Sequence, residues 1–202
     1  MAYSPGYATG HQWFSYYLSI QNRTDDALRE MEIAYRLDPL SHVIVLSLAA
    51  GYDAVGRYPE AAPLYAQGFD LAPDAWWSVI LFCNHVLVTN GLDAATPCYR
   101  RSALATGSDT ARANDLERAL RDPARRDSAI DAMARHGNPL DAVPLLKVLR
   151  GDDAVIAHLR AMAARPERVD FHRCILAVML GVRLRSDSRV RGLLVQLGYP
   201  GW

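Results

Sequence analysis

The residue types that carry chemistry are present in this chain, but scattered. Cys83 and His85 are two apart, with His11, His42 and Cys98 elsewhere, and neither a C-x-x-C pair nor an H-E-x-x-H occurs. On a helix, residues two apart point away from each other, so Cys83 and His85 would not share a metal. Asp170, His172 and Cys174 have the types of a nucleophile site: an acid, a base and a thiol. Alternation of that kind needs a strand, and this stretch reads as the start of a helix. The glycines form neither a P-loop nor G-x-G-x-x-G, so nucleotide binding has no support. Arg183, Arg185, Arg189 and Arg191 make a basic patch near the end. Nucleic-acid binding would want aromatic residues interleaved and a basic chain; a solvated helix face is expected instead. The sequence therefore predicts no catalytic residue, no metal ligand and no cofactor.

The elements that would have to position a site are set by length and patterning. The chain has 202 residues, enough for one domain or two small ones with a sizeable core. Half the residues are hydrophobic, yet no apolar run approaches the roughly 18 residues of a membrane span. The first 30 residues lack a basic stretch followed by an apolar one, so no signal peptide is expected. A helical pattern begins almost at once after Met1, as in a piece of something longer. Three cysteines without a pairing pattern suggest buried small hydrophobes in a reducing, cytoplasmic setting. The formal charge is zero, but residues 1–108 carry −4 and residues 109–202 carry +4. Such halves could attract each other or face different partners.

A pattern returns every 34 residues, in blocks beginning at Ala8, His42 and Trp76. Offset 8 holds Ser15, Ala49 and Cys83; offset 20 holds Ala27, Ala61 and Ala95; offset 27 holds Ala34, Gly68 and Ser102. Small residues belong where two helices cross closely. Larger ones at offset 11 (Leu18, Tyr52, Val86) and offset 24 (Met31, Tyr65, Tyr99) fill the space beside them. Offset 32 is Pro39, Pro73 and then Gly107, and a proline there stops the second helix. Turn-forming stretches QNRTDD, VGRYPE and TNGLD divide each block into two helices. Thr24 could cap the second helix of block one, and Pro59 suits the first turn of its counterpart.

Residues 109–202 differ. Ala154, Ala161 and Pro166 reproduce offsets 20, 27 and 32, which suggests a degenerate fourth unit over about 135–166 with a kink at Pro144. The stretch FHRCILAVMLGVRLRSDSRVRGLLVQLGYP reads as two further helices.

A 34-residue helix–turn–helix repeat resembles the tetratricopeptide (TPR) family across residues 6–106. The match is best in LAAGYDAVGRYPEAAPLYAQGFDLAP and weaker in the third copy, where Gly107–Ser108 replaces the usual Asp-Pro. LDPLS at residues 37–41 and LRSDSRVRGLLVQLGYP at 184–200 also resemble the C-terminal TPR regions of bacterial signalling proteins. Those regions follow adenylate-cyclase-like catalytic domains or winged-helix regulators. Ser188 stands where that tail usually has proline, and no upstream activity carries over. The fold expected is all-α: three helix pairs over 1–108, then about six shorter helices over 109–202 that cap the stack.

The resemblance implies a ligand groove lined by the first helix of each repeat, at offsets 2, 5, 9 and 12. These are Thr9, Gln12, Tyr16 and Ser19, then Val43, Leu46, Ala50 and Asp53, then Trp77, Ile80, Asn84 and Leu87. The stripe is mostly apolar, with Tyr16 and Trp77 as candidate anchors. It would suit an amphipathic helix or extended apolar peptide, unless the chain's own C-terminal helices fill it. A carboxylate clamp is not expected, because Gln12, Tyr16, Ser47, Trp77 and Leu81 offer no cation. The function expected is a non-catalytic, protein-binding module of a bacterial signalling or regulatory protein, with no nucleic acid and no membrane span. The alternatives are a self-associating scaffold, and an enzyme using residues 109–202 with His158 or His172 beside an acid.

Overall fold

The computed structural model describes residues 6–73, 75–105, 107–136, 142–164 and 173–199. Within them the chain is helical throughout, with no strand. Twelve helices follow in order: α1 (Ala8–Ile20), α2 (Thr24–Leu37), α3 (His42–Ala54), α4 (Tyr58–Leu71), α5 (Trp76–Asn90), α6 (Leu92–Ala105), α7 (Thr110–Arg121), α8 (Pro123–His136), α9 (Ala142–Arg150), α10 (Asp152–Ala163), α11 (Arg173–Arg185) and α12 (Ser188–Gln196). The first six form three hairpins, α1 with α2, α3 with α4 and α5 with α6.

The small-residue positions lie in the hairpin crossings. Ala27, Ala61 and Ala95 are buried, as are Ser15, Ala49 and Cys83 opposite them. In the first hairpin Ser15 Oγ donates to the Ala27 carbonyl at 2.7 Å, so the two backbones approach closely. The larger Met31, Tyr65 and Tyr99 fill the adjacent core. Asn22 and Gly56 occupy the same register in the first two turns, and both are left-handed, with φ of 58° and 79°.

The 34-residue period also recurs in contacts that composition does not reveal. Gln67 Nε2 donates to the carbonyl of Pro39 at 2.8 Å, and Arg101 Nη2 donates to that of Pro73 at 2.9 Å. Both donors sit at offset 26 and both acceptors close the preceding block. Pro63 and Pro97 likewise share one offset, each exposed within the second helix of its hairpin. Gly107, with φ of 90°, ends α6 where a proline ends the earlier blocks; Ser108 N–H bonds back to the Ala103 carbonyl at 2.9 Å.

By packing, the chain forms two units, Met1–Leu71 with Leu159–Trp202, and Ala72–His158. In the first unit α2 packs on α3, and α11 lies against α1, α3 and α12. In the second, α6 continues into α7 and α8, and α9 lies against α5 and α8.

Several local expectations need correction. Thr24 is the first helical residue of α2 and makes no cap; the N-cap is Arg23. Pro144 lies within α9, and no non-helical backbone interrupts that helix over its described span Ala142–Arg150. The break in the C-terminal half is instead within α11 at Gly181, with φ of 67°. Arg185 is not on a solvated face: it is buried, and burial pulls its pKa below the usual guanidinium range. Arg189 pairs with the α12 N-cap Asp187, Nη2 to Oδ2 at 2.8 Å. Pro166, Asp170, His172 and the side chain of Cys174 lie outside the described residues.

Candidate functional site

The stripe expected to line a groove is described separately in each unit. In the first unit it comprises Gln12 and Tyr16 on α1 and Val43, Leu46 and Asp53 on α3. None of these side chains is exposed: Gln12 and Leu46 are buried, and Tyr16, Val43 and Asp53 are half-buried. Helix α11 packs on α1 and α3 together, the two first helices of consecutive hairpins. Its sequence, RCILAVMLGVRLR, is predominantly apolar, and Leu176, Leu180 and Leu184 are all buried.

A hydrogen-bonded relay ties the stripe together. Gln12 Nε2 donates to Tyr16 Oη at 3.0 Å, and Tyr16 Oη lies 2.6 Å from Ser47 Oγ. Ser47 Oγ donates to the Val43 carbonyl at 2.7 Å. With the Ser47 proton directed to Val43, Tyr16 is the donor to Ser47, and each hydroxyl both gives and accepts one bond. Tyr16 thus joins α1 to α3 by its hydroxyl. This role was not visible in the sequence, although a polar Ser47 amid the apolar run VIVLSLAA was a signal for it.

Leu46 and Asp53 face their own hairpin. A Cβ on Gly68 of α4 would fall 2.5 Å from Leu46 Cγ, so Leu46 fills the place of the absent side chain. Asp53 lies near the Tyr65 hydroxyl of α4. Burial raises the Tyr65 pKa well above the usual phenol range, and the nearby Asp53 charge adds to it.

In the second unit the stripe comprises Trp77, Ile80, Asn84 and Leu87 on α5. Ile80, Asn84 and Leu87 are buried and Trp77 is half-buried, with α9 against α5. Asn84 Oδ1 accepts from Tyr99 Oη of α6 at 2.9 Å. The same hairpin contains a disulfide between Cys83 and Cys98, with Cα atoms 5.3 Å apart. This corrects the expectation of unpaired, thiol-bearing cysteines. The pairing went unseen because helix residues 15 apart in sequence become neighbours only once the hairpin closes. It also removes the Cys83 thiolate from any ligand set. Among the described residues, no three His, Cys, Asp or Glu side chains group as a metal site, and no helix is long and apolar enough to cross a membrane.

Compared with models of known families, with curated proteins and with solved structures, the chain finds no match.

Proposed function

We propose that this chain is a non-catalytic, tetratricopeptide-type interaction module whose first-helix stripe is held closed by its own C-terminal region. One observation carries the reading: α11 lies on α1 and α3, the helices whose stripe the repeat pattern marks as ligand-binding. The surface accepts an apolar helix, and α11 is one. The helix therefore specifies the chemistry of an external ligand, an amphipathic helical segment of another protein that competes for the same place. The break at Gly181 divides α11 into two shorter pieces, which favours its release over that of an unbroken helix. The resemblance of residues 37–41 and 184–200 to bacterial signalling proteins supports a regulatory setting, in which a partner segment displaces α11.

The test uses a labelled peptide of residues 173–185 as the probe. The intact chain is expected to bind it weakly. A Leu176→Glu/Leu180→Glu chain, with α11 weakened, is expected to bind at least about tenfold more tightly, with its helical circular dichroism retained. Equal binding by both chains would sink the idea. Probe binding by the variant that persists after Tyr16→Ala and Val43→Ala would place the peptide elsewhere.

A further inference from the structure

The third hairpin is closed by a covalent bond at a position where its neighbours use none. Offset 23 of the repeat holds Glu30, Leu64 and Cys98, and offset 8 holds Ser15, Ala49 and Cys83. In the first hairpin Glu30 Oε2 lies 2.6 Å from His11 Nδ1 of α1, and Ser15 is buried. In the second, Leu64 and Ala49 are both buried. In the third, Cys98 of α6 is bonded to Cys83 of α5. One crossing therefore forms three times, with a polar pair, with apolar residues and with a disulfide. The first two hairpins contain no cysteine, so the crossing does not require the bond.

The third hairpin also has the means to stay closed with the bond open. Tyr99 Oη donates to Asn84 Oδ1 at 2.9 Å across the same two helices. Ala95 is fully buried at the crossing. The Val79 carbonyl oxygen lies 3.8 Å from Cys98 Sγ and is an acceptor in place for a Cys98 thiol. In the first hairpin Ser15 Oγ donates to the Ala27 carbonyl at 2.7 Å, and the counterparts of those residues are Cys83 and Ala95. The register thus offers a Cys83 thiol the Ala95 carbonyl, in a buried place that suits a small thiol.

Access to the two sulfurs is unequal. Cys83 is 0% exposed, whereas Cys98 is half-buried beside the exposed Pro97. Thiol–disulfide exchange proceeds at the sulfur that a thiolate can reach. An external dithiol attacks Cys98 Sγ, forms a mixed disulfide there and expels Cys83 as a thiolate, which takes a proton. The second thiol of the reagent then attacks the reagent's own sulfur in that mixed disulfide and releases Cys98 as a thiol. The chain gains two electrons and two protons, and the dithiol leaves as a cyclic disulfide.

We propose that Cys83–Cys98 is a reversible thiol–disulfide switch, opened through Cys98, that sets how firmly α5 is held against α6 in a chain that stays folded. Helix α5 carries Trp77, Ile80, Asn84 and Leu87, so the state of the bond acts on the stripe of the second unit. The proposal does not rest on the covering of the other stripe by α11, which belongs to the first unit.

Hydrogen exchange of the full chain, with and without dithiothreitol, tests it. The folded chain is expected to be reduced without denaturant and to keep its helical circular dichroism. Amides of α5 and α6 are expected to exchange at least about tenfold faster once reduced, while those of α1 to α4 keep their protection. Oxidised glutathione should restore the slow exchange. Cys83→Ala/Cys98→Ala is expected to fold and to exchange at the reduced chain's rate with either reagent. A bond that dithiothreitol opens only in denaturant overturns the proposal. So does loss of the helical signal on reduction, or failure of the alanine pair to fold, because the bond would then be a structural brace. Exchange in α5 and α6 that ignores the redox state overturns it too, as does an alanine pair that still responds to dithiothreitol.

Discussion

Gly68 on α4 and Leu46 on α3 share one volume: a Cβ on the glycine would fall 2.5 Å from Leu46 Cγ and 2.6 Å from its Cδ2. The contact joins two positions with different sequence signatures. Gly68 belongs to the small-residue register of the repeat. Leu46 belongs to the stripe that the repeat resemblance assigns to a ligand. Their contact is why Leu46 is buried within its hairpin.

Gly68→Ala is expected to destabilise the second hairpin. Alanine is the better helix former by roughly 1 kcal/mol. Overpacking against Leu46 costs typically 1–3 kcal/mol, because Cγ is not a free chain end and the hairpin must open to admit the methyl. Net loss in a chemical denaturation series is the expected outcome. A gain would mean that α3 and α4 are less tightly crossed than described.

The Tyr16–Ser47 bond joins consecutive hairpins and can be measured as a coupling. Tyr16→Phe and Ser47→Ala should each cost on the order of 1 kcal/mol. The double variant should cost less than the sum by roughly 0.5–1.5 kcal/mol, since the bond is lost only once. Strict additivity would show that the hydroxyls do not depend on each other.

The Cys83–Cys98 disulfide closes a loop with a sequence separation of 15. Cys98→Ser, or reduction, is expected to lower stability by about 3 kcal/mol on the loop-entropy account. Thiol titration of the unfolded chain checks the bond directly: one reactive thiol without reductant and three after reduction.

Alkaline pH should unfold the first unit through Tyr65. The phenol is buried against Asp53, and its folded pKa is raised. A raised folded pKa means that the contribution is fully present below the unfolded phenol value of about 10 and is lost as pH rises beyond it. Stability measured above pH 10 should therefore fall less steeply in Tyr65→Phe than in the parent. Equal slopes would remove Tyr65 from the account.

Much of the helical-hairpin architecture was legible because its causes are local and periodic. Ala27, Ala61 and Ala95 are small where helices must cross, and Pro39 and Pro73 recur where a second helix must stop. A period of 34 exposes both without knowledge of any contact. Local errors arose where one residue admits two local roles. Thr24 serves as readily in a first turn as at an N-cap, and only the backbone at Arg23 decides between them.

The candidate site was legible as a stripe but not as a surface. The TPR resemblance implies offsets 2, 5, 9 and 12, which hold Gln12, Tyr16, Val43, Leu46, Asp53, Trp77, Ile80, Asn84 and Leu87, and helical spacing puts those offsets on one stripe of each first helix. Whether such a stripe meets solvent depends on elements outside its own helix, among them α9 against α5 and α11 against α1 and α3, and no periodicity reports that. Tertiary packing alone set α11 against α1 and α3 and brought Cys83 to Cys98. The physical reason is common to both. A helix's apolar face states that it must be buried, and its spacing states which residues share that face. The identity of the burying element comes from the packing of the whole chain.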